Sequence, residues 1–151
     1  MAYQVEGLYL ACLGTYAAAV EFNVLNRMVS TARVHSRVDQ SWLLSPPNHP
    51  RSFSLELLEM NAAIVSIDKI LVGLSTIGIR QPATLAETLA VLAATPQLIE
   101  RSFPFLSLGS MKRNERNVTV PWIESCNDYL SIDVLEQDEN LWGHYLLFGV
   151  R

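Results

Sequence analysis

The sequence has little charge and little cysteine. Aspartate, glutamate, lysine and arginine make up 17% of its 151 residues, against about 25% in a typical soluble domain. Its hydrophobic share of 50% is ordinary, so the charge that would coat a monomer's surface is scarce. This composition favours either a membrane-associated protein or a subunit that buries part of its surface against partners. Because Cys12 and Cys126 have no metal-binding or redox spacing, we expect small buried thiols in a reducing compartment.

The short motifs of common enzymes are also missing. The sequence has no nucleophile elbow of the G-x-S-x-G type, no phosphate-binding glycine loop and no dinucleotide-binding fingerprint. Its three histidines, His35, His49 and His144, show no metal-ligand spacing. We therefore predict no catalytic residues, no cofactor and no metal ion.

The most apolar run, residues 7–20, could be an export signal, a membrane anchor or part of a core. The residues before it carry Glu6 but no lysine or arginine, which a secretory signal peptide needs. The run between Glu6 and Glu21 is 14 residues long, whereas a membrane-spanning helix needs about 20. We therefore expect no membrane span and an intracellular protein, in the cytoplasm or in a particle assembled there.

The spacing of apolar residues in residues 4–43 predicts one long amphipathic helix. A stripe that includes Leu10, Leu13, Ala17 and Val20 advances in steps of three and four residues, as one face of a helix does. Apolar residues also lie off the stripe, which predicts contact with another chain; these interaction candidates are Leu8, Tyr9, Cys12 and Tyr16.

Three further helices are expected after a proline-rich corner at residues 45–50. Residues 52–78 are apolar almost all round, which predicts a central buried helix. Thr84 and Glu87 match the capping box that begins a helix, and Thr95-Pro96 begins a second short one. The sequence thus predicts a short helical pair before Pro104.

Alternating apolar and polar residues predict strands in the last third of the chain, after residue 117. The final segment is apolar on both faces, which is typical of a central strand or of one covered by a neighbouring subunit. Its interaction candidates are Leu141, Tyr145 and Leu147. The overall prediction is one α+β domain, with a helical part at about 4–104 and a small C-terminal antiparallel sheet at about 117–151.

These features predict a non-enzymatic subunit that self-associates or docks into a larger protein complex; a virion or connector component is one concrete instance. The formal net charge of −4 argues against broad nucleic-acid binding. Acidic residues crowd into the C-terminal quarter while basic residues lie earlier, and such polarity suits head-to-tail contacts between copies.

Two alternatives stay open. The first is a nucleic-acid-associated accessory protein that uses a basic helix face and a basic loop; its residues are Arg27, Arg33, Arg37, Lys112, Arg113 and Arg116. The second is a small enzyme with its site near His144, where Asp133 or Glu136 could orient the imidazole from across the hairpin.

Overall fold

One mixed sheet organises the computed structural model, which describes residues 2–39, 41–44, 52–100, 103–115, 117–126, 129–138 and 140–151. Its ten described strands are β1 (Ala2–Val5), β2 (Leu8–Ala19), β3 (Arg33–Val34), β4 (Ser52–Ser66), β5 (Gln81–Pro82), β6 (Phe105–Leu106), β7 (Lys112–Arg113), β8 (Val118–Cys126), β9 (Tyr129–Gln137) and β10 (Asn140–Val150). The main path runs β1-β2-β4-β10-β6-β8-β9-β3, while β5 pairs with β10 and β7 with β8. Most neighbours are antiparallel, but β6 lies parallel to β10 and β3 parallel to β9.

Short helices cover parts of both faces of the sheet. They are α1 (Phe22–Thr31), α2 (Ser41–Leu44), α3 (Ile67–Thr76) and α4 (Leu85–Ala94), with 3-10 turns at Pro96–Glu100 and Leu108–Ser110. Helices α1, α2 and α4 contribute to a first core on one face of the sheet. Helix α3 contributes to a second core on the opposite face, and strands β4, β6, β8 and β10 contribute side chains to both cores. Among the described helices, none is long and apolar enough to cross a membrane.

The predicted α+β arrangement, with a long N-terminal helix and a small C-terminal sheet, is wrong. Residues 8–19 form strand β2 instead of a helix, and the ten-residue helix α1 begins only at Phe22. A bulge between Cys12 and Gly14 shifts the register of β2 on β4. Leu13 and Ala17 are apolar and yet exposed, so the polar–apolar alternation that would identify a strand is missing.

The predicted central helix at 52–78 is also wrong over most of its length. Residues 52–66 form strand β4, and only 67–76 form a helix, which Ser66 caps by accepting a bond from the N–H of Lys69. Leu55 and Leu57 point into the first core, whereas Leu58 and Met60 point into the second. The buried side chains therefore switch faces between Leu57 and Leu58, and the polar–apolar alternation of the strand is interrupted there.

Other parts of the prediction agree with the structure. The Thr84–Glu87 capping box begins α4, with Thr84 N–H bonded to the Glu87 carboxylate at 2.8 Å and Glu87 N–H bonded to the Thr84 hydroxyl at 3.2 Å. The expected C-terminal strands are β8, β9 and β10, although they continue one large sheet. The proline-rich corner at 45–50 lies outside the described residues.

Candidate interaction surface

One face of the sheet is covered by helices over only part of its length. On β4, Leu55 and Leu57 are fully buried in the first core, but Glu59 and Asn61, which continue along the same face, are partly or fully exposed. On β10, Leu146 is buried whereas His144 is 31% exposed at its side chain. The sheet therefore leaves a half-face open beside the first core, and we call it the open half-face.

A polar row crosses four strands of the open half-face. Gln4 of β1 lies opposite Tyr9 of β2, Tyr9 opposite Asn61 of β4, and Asn61 opposite His144 of β10. Directly opposed residues project from the same face of a sheet. The row thus places hydrogen-bonding groups on four neighbouring strands.

His144 is the most firmly held side chain in this row. Its Nε2 lies 2.6 Å from Oε1 of Glu59, and the Phe103 ring stacks on the imidazole with 3.7 Å between centroids and an angle of 15°. A carboxylate in this position fixes the orientation of an imidazole. The pairing differs from the predicted one, because Asp133 instead bonds Arg37 at 3.1 Å and Glu136 accepts a bond from Asn117 at 3.1 Å.

Sequence reasoning missed Glu59 because it lies 85 residues from His144. The two side chains meet only through the register of β4 on β10, and residues 52–66 were predicted as a helix. A correct strand assignment would have been the signal that identifies the pair.

An open groove of about 910 Å³ lies beside the half-face, between the start of β10 and the end of β9. Its apolar lining includes two highly exposed side chains, Trp142 at 61% and Ile64 at 73%. Ile64 has a φ of 56°, in the left-handed region that a β-branched residue rarely adopts. Glu136 and Asp138 line the same groove with exposed carboxylates.

Most of the predicted interaction residues lie inside the protein's own core. Leu8, Leu141, Tyr145 and Leu147 are at most 7% exposed and belong to the second core, so they are not available to another chain. The remaining three, Tyr9, Cys12 and Tyr16, are partly exposed on β2. Much of the apolar excess in the sequence is thus buried between the sheet and its helices.

The described basic residues of the nucleic-acid alternative lie on α1, on β3, in the loop after β3 and on β7. Arg37 is bonded to Asp133, Lys112 to Asp39 and Arg113 to Asp68, so three of the cations already face a carboxylate. Arg27 lies on α1, Arg33 stacks over the Tyr129 ring at 5.0 Å, and Arg116 lies outside the described residues. Paired cations release fewer counterions on binding phosphates, which weakens that alternative.

The described residues contain no cluster of three or more potential metal ligands, and Cys12 and Cys126 are free thiols. No protein-family model, curated protein or solved structure matches the chain.

Tyr145 fixes the backbone next to the groove and gives a testable prediction. Its hydroxyl donates to the Trp142 carbonyl at 2.9 Å, and burial raises the pKa of its phenol above the ordinary 10.0. The Tyr145 phenol ionises at a lower pH in the unfolded chain than in the folded protein. Its contribution to the free energy of unfolding is therefore complete below about pH 10 and is lost as the pH rises through the folded pKa. Tyr145→Phe should lower the free energy of unfolding by about 1 kcal/mol at pH 8.

Urea denaturation at pH 8 and at pH 10.5 checks this prediction. The wild type should lose more stability than Tyr145→Phe between the two pH values, since the variant has no phenol at this site to ionise. An equal loss in both proteins would show that Tyr145 does not contribute to the alkaline dependence.

Proposed function

We propose that the protein is a non-enzymatic assembly subunit that binds other protein chains, including copies of itself. The observation that carries this proposal is the groove beside the open half-face, where Trp142 and Ile64 are exposed together. A tryptophan that is 61% exposed leaves a large apolar area in water, and burial of that area would favour association. Tryptophan is also among the residues that most often dominate the binding energy of protein interfaces.

The surroundings of Trp142 indicate the chemistry of the bound segment. Glu136 and Asp138 add negative charge to the groove, whereas Arg37, which also lines it, is bonded to Asp133. Oε1 of Gln137 is buried there without a hydrogen-bond partner. A segment with an apolar side chain, hydrogen-bond donors and positive charge would complement these groups. Arg27 of a second copy is one exposed cation of the required sign.

The enzymatic alternative has weaker support from the same geometry. Glu59 orients His144, as a general base requires, but both side chains lie on the open half-face of the sheet. Solvent there would screen the interactions that stabilise a transition state. The pair is better explained as an ordered, polar part of an interaction surface.

Light scattering on the purified protein at increasing concentration tests the proposal. We expect a mass above that of one chain, rising with concentration in the micromolar range. Trp142→Ser should raise the dissociation constant about 30-fold, because truncation of an interfacial tryptophan costs about 2 kcal/mol.

Val72→Ser is the matched control, since Val72 is similarly exposed at 62% but lies on α3. This variant should associate like the wild type. Equal weakening by the two substitutions would indicate a nonspecific loss of surface hydrophobicity. A wild type with the mass of one chain at every concentration would contradict self-association.

A further inference from the structure

Over more than half of its length, strand β2 has an edge that no other strand in the described part of the chain pairs with. On one side it pairs with β4 from Leu8 to Ala19, and on the other β1 covers only Leu8–Ala11. From Leu13 to Ala19, none of the described strands pairs with the outer edge. Leu13, Thr15 and Ala17 are exposed, which fits an edge that other elements leave uncovered.

This edge lacks most of the features that usually prevent strands from pairing between molecules. Proteins protect such edges with lysines, prolines, inward-pointing charges or β-bulges. The segment Leu-Gly-Thr-Tyr-Ala-Ala-Ala at 13–19 has no charge and no proline. Its only irregularity is the bulge at its beginning, between Cys12 and Gly14.

The charges directly opposite the middle of this segment neutralise each other. Glu56 lies opposite Thr15 in the sheet and accepts a bond from the Thr15 hydroxyl at 3.1 Å. The same carboxylate pairs with Arg151 at 3.1 Å. A second strand that approaches this edge therefore meets no unpaired charge from these residues.

We infer that the outer edge of β2 pairs antiparallel with the same edge of a second copy, around a two-fold axis through Tyr16. Tyr16 is the midpoint of 13–19, so Thr15 would lie opposite Ala17 of the second copy and Leu13 opposite Ala19. No like charges would be opposed along the pairing, and the small side chains at 17–19 allow close approach. The five opposed pairs from Gly14 to Ala18, beyond the bulge at Leu13, form about four to six backbone hydrogen bonds.

The pairing has a defined extent. At one end, β1 already occupies the edge, with Ala2 opposite Ala11. At the other end, the chain leaves the sheet and begins α1 at Phe22. An isologous contact of this kind closes after two copies, and it leaves the Trp142 groove of each copy free. It thus extends the proposed function with a second interface on a different surface.

A lysine on the edge should disrupt this pairing. Ala17→Lys is expected to weaken self-association by about tenfold or more, because lysines at an edge strand oppose pairing. Ala94→Lys is the matched control, with the same change of charge at an exposed position on α4. It should leave the dissociation constant unchanged, and thermal unfolding of both variants checks that each is folded.

A cross-linking experiment tests the register. In a Cys12→Ser, Cys126→Ser background, the double variant Thr15→Cys, Ala17→Cys places two thiol pairs directly opposite each other, where Cβ atoms are about 4.5–5.5 Å apart. Mild oxidation should give a covalent dimer in high yield. The single Thr15→Cys variant should give little, because residue 15 then faces Ala17 of the second copy.

The results separate this inference from the proposed function. A wild type with the mass of one chain overturns both. If Ala17→Lys still associates, no specific cross-link forms and Trp142→Ser no longer associates, the β2 pairing is overturned. These results would support the groove as the interface. The edge contact is established if Ala17→Lys no longer associates while Trp142→Ser and Ala94→Lys still do. The double-cysteine variant must also form the cross-linked dimer.

Discussion

Leu57→Ala and Leu58→Ala are each expected to lower the free energy of unfolding by about 2–5 kcal/mol. Both leucines are fully buried, although they are neighbours in sequence. Leu57 belongs to the core that contains α4, and Leu58 to the core that contains α3. Each truncation should therefore leave a cavity on its own side of the sheet, where the surrounding rigid elements can close it only in part.

The same pair tests whether the two cores are independent. The milder variants Leu57→Val and Leu58→Val should each cost about 1 kcal/mol. Because the two side chains lie in different cores and share only the backbone, we expect a coupling below about 0.5 kcal/mol, the lower limit for residues that share a cavity or a bonding network. Urea denaturation of the four proteins measures the coupling. A coupling well above that value would contradict a strand that serves two separate cores.

This division of β4 explains why its conformation was not recognised from the sequence. A strand with one buried face shows polar–apolar alternation throughout, whereas a strand whose buried face changes shows that alternation only in two separate halves. In β4 the buried face changes after Leu57, so the apolar residues run together at Leu57-Leu58 and mimic a helical surface. The change depends on where α4 and α3 pack, which is tertiary information.

Features that depend only on residues close together in the sequence were predicted correctly. The capping box at Thr84 requires only residues within one helical turn, and it is present as expected. The alternation in β8 and β9 is also local. The His144–Glu59 pair and the free edge of β2 depend instead on strand register and strand order, so no short window of sequence contains them.

The low content of charged residues does not by itself indicate a large apolar surface. The second core takes up Leu8, Leu141, Tyr145 and Leu147, which were expected to contact another chain. What remains apolar at the surface is concentrated at a few places, including Trp142, Ile64 and the 13–19 edge. These places, more than the average composition, support association with other chains.

The turn at residues 108–110 follows β6 and packs against the residues that precede α4, and one side of Gly109 lies close to the Pro82–Ala83 backbone. The N–H of Gly109 donates to the Ala83 carbonyl at 2.9 Å, and the Ser110 hydroxyl accepts from the N–H of Leu85 at 2.9 Å. A Cβ at Gly109 would lie 2.4 Å from the Pro82 carbonyl oxygen and 2.6 Å from the Ala83 carbonyl carbon. No side-chain rotation can relieve these contacts.

Gly109→Ala should therefore lower the free energy of unfolding by about 3 kcal/mol, at the upper end of the usual cost of overpacking. The backbone of Pro82 must move to accept the methyl group, and Pro82 pairs with Gly149 of β10 at the centre of the sheet. The movement would also separate the turn from α4, whose residues 85–92 are all buried. Urea denaturation followed by circular dichroism measures the loss of stability. Substitutions away from packed sites usually change the free energy of unfolding by less than about 0.5 kcal/mol. A change that small would show that the turn is not packed as described.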